Sequence, residues 1–346
     1  MSKTNAFTSL PIVDISALRG TDPEARAKVA AELGEAARNI GFLYVTGHGM
    51  APSLFDDLVA AAQDFFARPV DEKMQVYIGQ SSNHRGYVPI GEEVFYGASK
   101  DLKEAFDLAE DLPADDADYV AGNPMLGPNQ WPALPGFRER VGAYYDAVMS
   151  VGRDLLHGFA EALGQAPDIF DEFVTKPPSQ LRLVHYPFNP AAVDATGIGA
   201  HTDYECFTLL HVTAPGLEVM NGAGEWIDIP PLPGAFVVNI GDMLETWTNG
   251  LFTATSHRVR KVQEERYSFP LFFNVDYYTR VAPLPAFIRE GEPVRPALIA
   301  GEHLHAQTAQ SFTYLRKRIE AGTLKLPESA LGLSSFGREA RQKIAR

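Results

Sequence analysis

The feature that most constrains the fold is a succession of short β-prone runs in the second half of the chain. The runs begin at Leu181 and are separated by Pro, Gly and Asn, the residue types that favour turns. They cover residues 181–186, 207–212, 217–220, 235–240, 255–259 and 267–274. Short strands at such spacing are typical of a sandwich or jelly roll, whose two sheets leave a cavity between them. We therefore expect a double-stranded β-helix (jelly roll) in this part of the chain.

The rest of the chain carries helical and mixed patterns. The predicted helices cover residues 23–40, 52–66, 137–163 and 302–321, and the predicted strands residues 11–15 and 42–45. The helix that begins at Phe137 has the length expected of a helix that backs a sheet. Residues 80–130 are rich in Gly, Pro, Asn and Asp, which predicts loops and a natural substrate lid. The predicted fold class is an all-β core with helices (α+β), with an N-terminal α/β region and a long backing helix.

These patterns suggest a division of the 346 residues into three parts. Residues 1–130 form an N-terminal region with the loop-rich, substrate-side segment, and residues 131–322 form the jelly-roll core with its backing helix. Residues 323–346 form a polar C-terminal tail. Because no linker is long enough to force a boundary, we expect one structural unit.

Charge and cysteine content narrow the choice of partners. The formal net charge of −14 predicts a surface that repels nucleic acid and anionic lipid, so a small molecule is the expected partner. Cys206 is the single cysteine, which excludes an internal disulfide and fits a reducing cytoplasm. Neither a signal-peptide pattern nor a run of 18 apolar residues occurs. We expect a cytoplasmic protein without membrane contact, and a monomer or small homo-oligomer.

The strongest local signal for chemistry is the pair His201 and Asp203, two positions apart at the start of a β-prone run. Alternate residues of a strand point the same way, so an imidazole and a carboxylate are expected in one cavity. His257, in another predicted strand, is the candidate third ligand. Two histidines and one carboxylate are the set that non-haem Fe(II) oxygenases use, with open positions for a keto acid and for dioxygen. No further catalytic residue is predicted beyond this metal centre.

A second motif follows His257 at nine positions and consists of Arg266 and Ser268. In a strand both side chains face one side, where a guanidinium binds a carboxylate bidentately and a hydroxyl adds a donor. In a jelly-roll cavity this pair could hold the distal carboxylate of 2-oxoglutarate while its keto-acid end chelates Fe(II). The predicted cofactor set is therefore Fe(II), 2-oxoglutarate as co-substrate, and O2.

Taken together, His-x-Asp, the later His-Arg-Val and Arg-x-Ser resemble the isopenicillin N synthase-like family of Fe(II)/2-oxoglutarate-dependent oxygenases. The resemblance extends over roughly residues 10–320 and implies one catalytic jelly-roll unit. It also implies that Tyr186 points toward the co-substrate, although Val184 stands where plant-type members carry Asn. Other similar stretches are Pro11–Asp14, Gly41–Gly49, Phe65–Phe66 with Glu72–Lys73, Asn239–Met243 and Trp247–Gly250.

Substrate-side residues are expected mainly in the loop-rich segment. A Gly-Glu-Glu-Val stretch that ends at Val94 also appears in bacterial ethylene-forming enzymes, where the second glutamate, here Glu93, meets a guanidinium. A polar or cationic substrate would suit such a residue. The predicted substrate contacts are Arg85, Tyr87, Glu93, Tyr204 and Phe273.

The expected activity is oxidative decarboxylation of 2-oxoglutarate to succinate and CO2, coupled to oxidation of a small molecule such as an amino acid or secondary metabolite. Hydroxylation is the default outcome, and desaturation, ring closure or ethylene release are alternatives. An oxidase like isopenicillin N synthase, which needs no 2-oxoglutarate, stays open. A non-catalytic sensor of small molecules on the same fold is a more distant alternative, and a zinc hydrolase lacks the helical His-Glu-x-x-His motif.

Overall fold

The computed structural model describes residues 6–94, 103–188, 198–260, 262 and 264–327. Its strands are β1 Ile12–Asp14, β2 Phe42–Thr46, β3 Gly86–Val88, β4 Glu104–Leu108, β5 Gln180–Tyr186, β6 Ile198–His201, β7 Phe207–Val212, β8 Leu217–Met220, β9 Trp226–Ile229, β10 Phe236–Ile240, β11 His257–Val259, β12 Arg266–Phe273, β13 Arg280–Val281 and β14 Leu298–Ile299. Its α-helices are α1 Pro23–Asn39, α2 Pro52–Phe66, α3 Val70–Lys73, α4 Ala117–Val120, α5 Phe137–Ala162, α6 Asp242–Trp247, α7 Ala300–Ser311 and α8 Thr313–Glu320.

Two sheets build the jelly roll. The major sheet has eight strands in the order β1-β2-β10-β7-β12-β5-β4-β3, and the minor sheet has four in the order β6-β11-β8-β9. Only the pair β1 and β2 in the major sheet is parallel, and the other neighbouring strands run antiparallel. A pocket between the sheets is lined by residues of both, such as Ser268 of β12 and His257 of β11. The sequence-based prediction of a jelly roll is therefore confirmed.

Helices cover the outer face of the major sheet. Helices α1 and α2 both pack against α5, and α5 packs against β12. The start of α1 follows from its sequence, because the Asp22 side chain caps the amides of Glu24 and Ala25 and Pro23 opens the first turn. After the helix the chain turns at Gly41, whose positive φ of 76° and close approach to the Thr253 carbonyl exclude a side chain there. The helix α5 is the expected backing helix.

The prediction of loops over residues 80–130 agrees least with the observed secondary structure. Within it, β3 and β4 extend the edge of the major sheet next to β5. The strand β4 carries Glu104 and Asp107, which are buried because they pair with Lys73 and Arg182. Buried ion pairs of this kind hide the alternation of apolar and polar residues by which strands are predicted. Residues 95–102 of this segment lie outside the described residues.

The helix that the sequence predicts over residues 302–321 is divided into two helices, α7 and α8. The chain is extended at Phe312, with φ −89° and ψ 126°, between α7 and α8. Backbone hydrogen bonds join this break to the loop after β3, because Val94 N–H donates to the Ser311 carbonyl and Thr313 N–H to the Glu92 carbonyl. The two helices thus hold one side of that loop. None of the helices in the part of the chain that the structure describes has both the length and the apolar character that a membrane span requires. Residues 328–346 of the predicted tail 323–346 lie outside the described residues.

Candidate metal centre and substrate pocket

Three side chains converge in the pocket between the sheets. His257 of β11 pairs in register with His201 of β6, so the two imidazoles face the same cavity. The Nε2 atoms of both histidines lie 3.5 Å from Oδ1 of Asp203. Among the described residues these three form the group that could hold a metal ion, with ligand atoms within 4.8 Å of one another. The structure thus brings the three predicted ligands together.

The sequence analysis predicted that Asp203 enters the pocket because it alternates with His201 along a strand, but the structure shows a different reason. The strand β6 ends at His201, so Asp203 lies in the turn after it and does not owe its direction to strand alternation. Its backbone carbonyl accepts a hydrogen bond of 2.9 Å from the Asp242 amide, at the start of α6. This contact fixes the turn against a helix that the sequence places 39 positions later.

Hydrogen bonds around the three ligands leave one atom of each for a metal. Nδ1 of His201 lies 2.9 Å from the Gly199 carbonyl and Nδ1 of His257 lies 3.3 Å from the Thr255 carbonyl. Because a carbonyl only accepts, these contacts place the hydrogen on Nδ1 and leave the Nε2 lone pair for a metal.

The carboxylate of Asp203 is held in the same way. Its Oδ2 accepts hydrogen bonds from the Asn239 amide, at 2.7 Å, and from the Thr208 hydroxyl. Its Oδ1, the atom that faces both imidazoles, is therefore the ligand atom. Asn239 and Thr208 are neighbours across the β10–β7 pair, so the major sheet orients a ligand that lies in the turn after β6.

Electrostatics favour the ligand form of His201 and of Asp203. Burial and, to a smaller extent, the adjacent His257 together lower the pKa of His201 to about 4. Burial alone would raise the pKa of Asp203, but the two histidines hold it well below its usual range. The carboxylate is therefore ionised and His201 neutral at neutral pH. Two imidazole nitrogens and one carboxylate oxygen fit Fe(II) and leave the remaining coordination positions to other ligands.

A buried arginine lies in the same pocket. Arg266 is 1% exposed and lies on the pocket side of β12 together with Ser268. Its Nε donates to the Ala214 carbonyl at 3.1 Å, and its guanidinium lies 4.8 Å from the centre of the Tyr186 ring. Its Nη1 has no hydrogen-bond partner among the described residues. A buried guanidinium with an unsatisfied donor that faces a pocket fits a carboxylate ligand such as 2-oxoglutarate.

Tyr186 and Val184, which the sequence analysis placed near the co-substrate, lie beside Arg266. Tyr186 pairs in register with Arg266, and Val184 pairs with Ser268, on the pocket side of β5. The tyrosine therefore lies where the resemblance places it. At the position of Val184 the pocket wall is apolar, so this chain offers no side-chain amide there.

The predicted substrate residues divide into two groups. Glu93 and Tyr204 line the pocket. Arg85 is buried elsewhere, because its guanidinium donates to the carbonyls of Asn83, His84 and Met125. It therefore holds the loop together and does not line the described pocket, so its contact with substrate stays a prediction.

Tyr87 and Phe273 also lie away from the pocket. The Tyr87 hydroxyl donates to Glu104, at 2.6 Å, in the packed layer behind the sheet. Phe273 stacks on Phe207 with ring centres 4.8 Å apart. On β12 the even-numbered residues face the pocket, whereas Phe273 faces Gly152 of helix α5, so strand parity turns Phe273 away from the pocket. Neither residue lines the described pocket, so their contacts with substrate likewise stay predictions.

Several pocket residues were missed by the sequence analysis. On β5, Gln180 and Arg182 share the parity of Tyr186, which is a signal that could have identified them. Lys103 and Glu205 line the pocket as well, and Asn239 orients a ligand. Lys103 precedes a strand that the sequence did not predict, so no local signal indicated it. Burial and, to a smaller extent, the nearby Asp203 together raise the pKa of Glu205 to about 8.

The geometry agrees with comparisons to known proteins. Residues 10–134 match the family model described as non-haem dioxygenase in morphine synthesis N-terminal, and residues 177–275 match the model of the 2OG-Fe(II) oxygenase superfamily. The 2-oxoglutarate-Fe(II) type oxidoreductase hxnY of Emericella nidulans is 36% identical, over 94% of this chain and 95% of that protein. Homoarginine-6-hydroxylase 2-ODD-233 of Oryza sativa subsp. japonica is 35% identical, over 88% of this chain and 98% of that protein.

Solved structures of two similar proteins superpose on this chain over most of its length. A 2OG-Fe(II) oxygenase family protein of Caulobacter crescentus superposes with a TM-score of 0.76 at 32% identity, covering 91% of this chain and 99% of that chain. A full-length Neurospora crassa protein, solved in complex with alpha-KG and thymine, superposes with a TM-score of 0.75 at 25% identity, covering 93% of this chain and 100% of that chain.

The fold, the ligand set and these relatives define the class. The chain belongs to the 2OG-Fe(II) oxygenase superfamily. It is a 2-oxoglutarate- and Fe(II)-dependent dioxygenase that couples oxidative decarboxylation of 2-oxoglutarate to succinate with oxidation of a small molecule.

Proposed function

We propose that this dioxygenase hydroxylates a small polar molecule, with His201, Asp203 and His257 as the Fe(II) ligands. The proposal rests on one observation above all: a buried Arg266 donor without a partner among the described residues lies in the same pocket as the three ligands. A metal-binding protein without a carboxylate co-substrate would have no use for this costly arrangement. An oxidase that needs no 2-oxoglutarate could bind a carboxylate of its own substrate at the same donor, so dependence of turnover on 2-oxoglutarate distinguishes the two.

Each residue has a defined part in this function. Arg266 and Ser268 bind the distal carboxylate of 2-oxoglutarate, and Tyr186 packs against the guanidinium and limits its movement. Asn239 and Thr208 hold Asp203 so that Oδ1 faces the metal. The bound iron supplies the redox chemistry by which dioxygen oxidises both the keto acid and a substrate C–H bond. The pocket walls exclude water and orient the substrate.

We also propose that the chain is one structural unit, that it works in the cytoplasm, and that it is a monomer or small homo-oligomer. We expect one structural unit, because the major sheet combines strands from residues 1–130 with strands from residues 131–322. Cys206 is buried, which suits a reducing cytoplasm without requiring it. The net charge of −14 supports a monomer or small homo-oligomer that does not bind nucleic acid.

The test is a metabolite screen with anaerobically reconstituted Fe(II) protein, scored by succinate formed per O2 consumed. Amino acids belong in the first panel, because homoarginine hydroxylases are among the relatives. Succinate and hydroxylated product in equal amounts are expected, and turnover without added 2-oxoglutarate would favour the oxidase. A His201→Ala protein is the blank, and activity in it would contradict the metal assignment.

The proposed role of Arg266 has its own prediction. Arg266→Lys keeps the positive charge but loses the planar fork, so we expect the KM for 2-oxoglutarate to rise about tenfold or more. Arg289→Lys is the control, because Arg289 is exposed and its ion pair with Glu292 lies at the surface. Equal KM values for wild type and Arg266→Lys would show that the carboxylate binds elsewhere.

A further inference from the structure

Three carboxylate side chains line the pocket between the sheets. They are Glu93, Asp203 and Glu205, and each is at least nine-tenths buried. Taking a carboxylate out of water is costly, so buried carboxylates are normally paired with a cation or a metal ion. The positive partner of each carboxylate therefore shows which of the three is available to a substrate.

Glu93 already has its positive partners within the protein. Its Oε2 lies 2.9 Å from Nζ of Lys103 and 2.9 Å from Nη1 of Arg182. Arg182 in turn binds Asp107 through Nε and Nη2, at 2.7 and 2.8 Å. Burial alone would raise the pKa of Glu93, but its two cationic partners hold it down to about 2. A substrate cation would have to compete with two buried cations for this carboxylate.

Asp203 is committed to the metal centre. Its Oδ1 faces both histidine ligands, and its Oδ2 accepts hydrogen bonds from Asn239 and Thr208. When the cofactors are bound, the charges of Fe(II) and Arg266 together equal those of Asp203 and of the 2-oxoglutarate dianion. The metal centre then has no positive charge left over for another carboxylate.

Glu205 is the pocket carboxylate without a positive partner. Its side chain accepts hydrogen bonds from backbone amides, that of Tyr204 at 3.0 Å and its own. In the part of the chain that the structure describes, no lysine or arginine forms an ion pair with it. Backbone amides carry only partial charges, so they do not offset the cost of burying a whole negative charge. A positively charged ligand beside Glu205 would remove this cost.

The position of Glu205 suits the primary substrate. It lies two residues after Asp203 in the turn before β7, and its carbonyl accepts a hydrogen bond of 3.1 Å from the Met243 amide. In the major sheet β12 separates β7 from β5, the strand that carries Arg182, which is a gap of roughly 10 Å. Glu205 therefore enters the pocket beside the metal ligands. The ring of Tyr204 also lines the pocket and offers a face that attracts cations.

The geometry points to a cationic primary substrate, whose protonated nitrogen, in an ammonium or guanidinium group, binds the Glu205 carboxylate beside the metal centre. This inference rests on the proposed function and adds the substrate class to it. Glu205 is the specificity-determining residue in this arrangement. Glu93 has the different task of positioning Lys103 and Arg182, and does not itself receive the substrate cation.

A role of Glu205 in holding the turn alone would require only an acceptor for the Tyr204 amide. The side chain of glutamine has nearly the same shape and keeps an acceptor oxygen, but it carries no charge. The substitution Glu205→Gln therefore separates recognition of a cation from support of the turn. Glu205→Asp is the complementary variant, because it keeps the charge on a shorter side chain.

The test measures binding to the full-length protein loaded with Fe(II) and saturating 2-oxoglutarate, without oxygen. Isothermal titration compares probes that share a carbon skeleton and differ in charge: butylamine, butylguanidine, butanol and butyrate, and benzylamine, benzyl alcohol and benzoate. We expect the amine and guanidine probes to bind about tenfold or more tightly than the matched alcohols, and the carboxylates least. Equal affinity for cations and alcohols, tighter binding of the carboxylates, or no binding of any cationic probe would overturn the inference.

The variants assign the preference to the named residue. Glu205→Gln should weaken the cationic probes about tenfold and leave the alcohols unchanged, whereas Glu205→Asp should keep part of the preference. Glu32→Gln makes the same change of charge at an exposed position of α1, and should bind every probe as the wild type does. A cation preference that persists in full in Glu205→Gln would contradict the inference.

The affinities for the cofactors separate this inference from the proposed function. If the wild type loaded with Fe(II) does not bind 2-oxoglutarate, the proposed function fails. If it binds 2-oxoglutarate but shows no cation preference, the substrate class alone is wrong. If Glu205→Gln weakens Fe(II) or 2-oxoglutarate as strongly as it weakens the cationic probes, Glu205 serves the metal centre and the inference fails.

Discussion

At the scale of single residues, the metal centre depends on side chains that do not themselves bind the metal. Asp203 has two carboxylate oxygens, and Asn239 and Thr208 both occupy Oδ2. The remaining oxygen, Oδ1, is thereby directed at the two imidazoles. Backbone carbonyls do the same for the histidines by fixing the hydrogen on Nδ1. The ligand set is thus pre-oriented by neutral donors and acceptors that belong to both sheets.

This arrangement predicts the effect of removing one donor. In Asn239→Leu or Thr208→Val, Oδ2 loses a hydrogen bond, so Asp203 rotates more freely and metal affinity should fall roughly 10–100-fold. Competition with a chelator of known affinity, under nitrogen, measures the dissociation constant for Fe(II). Thr21→Val, at an exposed position, is the control. Unchanged affinity in both pocket variants would show that the carboxylate is held by other contacts.

At the scale of elements, the position of the site depends on how closely helix α5 packs against the major sheet. Phe273 projects from β12 toward the helix and lies over Gly152. A Cβ at Gly152 would come within 2.3 Å of the Phe273 ring, so the helix approaches the sheet at a point where only glycine fits. The opposite face of the same strand carries Arg266 and Ser268. Packing behind the sheet therefore supports the two residues that we propose bind the co-substrate.

Two glycines of α5 provide a matched comparison. Gly152→Ala should lower the free energy of unfolding by about 1–3 kcal/mol, because the added methyl group overpacks the helix–sheet contact. Gly142→Ala lies in the same helix with open space around it, and should raise stability by roughly 0.5–1 kcal/mol through helix propensity. Urea unfolding of both variants gives the two values. Equal effects of the two substitutions would mean that the close approach at Gly152 relaxes at no cost.

At the scale of the whole molecule, buried ionisable groups make stability depend on pH. His305 of α7 and His211 of β7 lie away from the metal ligands, and burial lowers the pKa of each to about 4. The unfolded chain binds their protons near the ordinary value of about 6.5. Between these values the unfolded state carries more protons than the folded state, so stability rises with pH. It is therefore lost as the pH falls from about 6.5 toward 4.

The buried imidazole of His305 should contribute to the slope of the free energy of unfolding against pH. The metal-free wild type should lose stability between pH 7 and pH 5.5, and His305→Leu should lose about 1.2 kcal/mol less over this interval. Denaturant unfolding at the two pH values measures the difference. His157→Leu is the control, since His157 lies at the surface with Asp171. The same pH slope in His305→Leu as in the wild type would contradict the assignment of a buried neutral imidazole.

The sequence by itself determined the parts of the protein that local patterns encode. Strands and helices with clear apolar periodicity were predicted to within a few residues, as in α2, which spans Pro52–Phe66 as expected. Arg266 and Ser268 share a strand, and alternation alone places them on one face. The identity of the three ligands could also be predicted, because two imidazoles and a carboxylate form a chemically specific set.

Only the tertiary structure decided which other residues reach the pocket. Arg85 and Glu93 come from one loop-rich segment, yet one binds backbone carbonyls and the other meets Arg182 from a distant strand. Lys103 and Asn239 belong to the site because the order of the strands in the sheet places segments that are far apart in the chain side by side. The physical reason is that buried charges are stable only where partners from other elements satisfy them. Such partners are set by topology, and no local pattern records them.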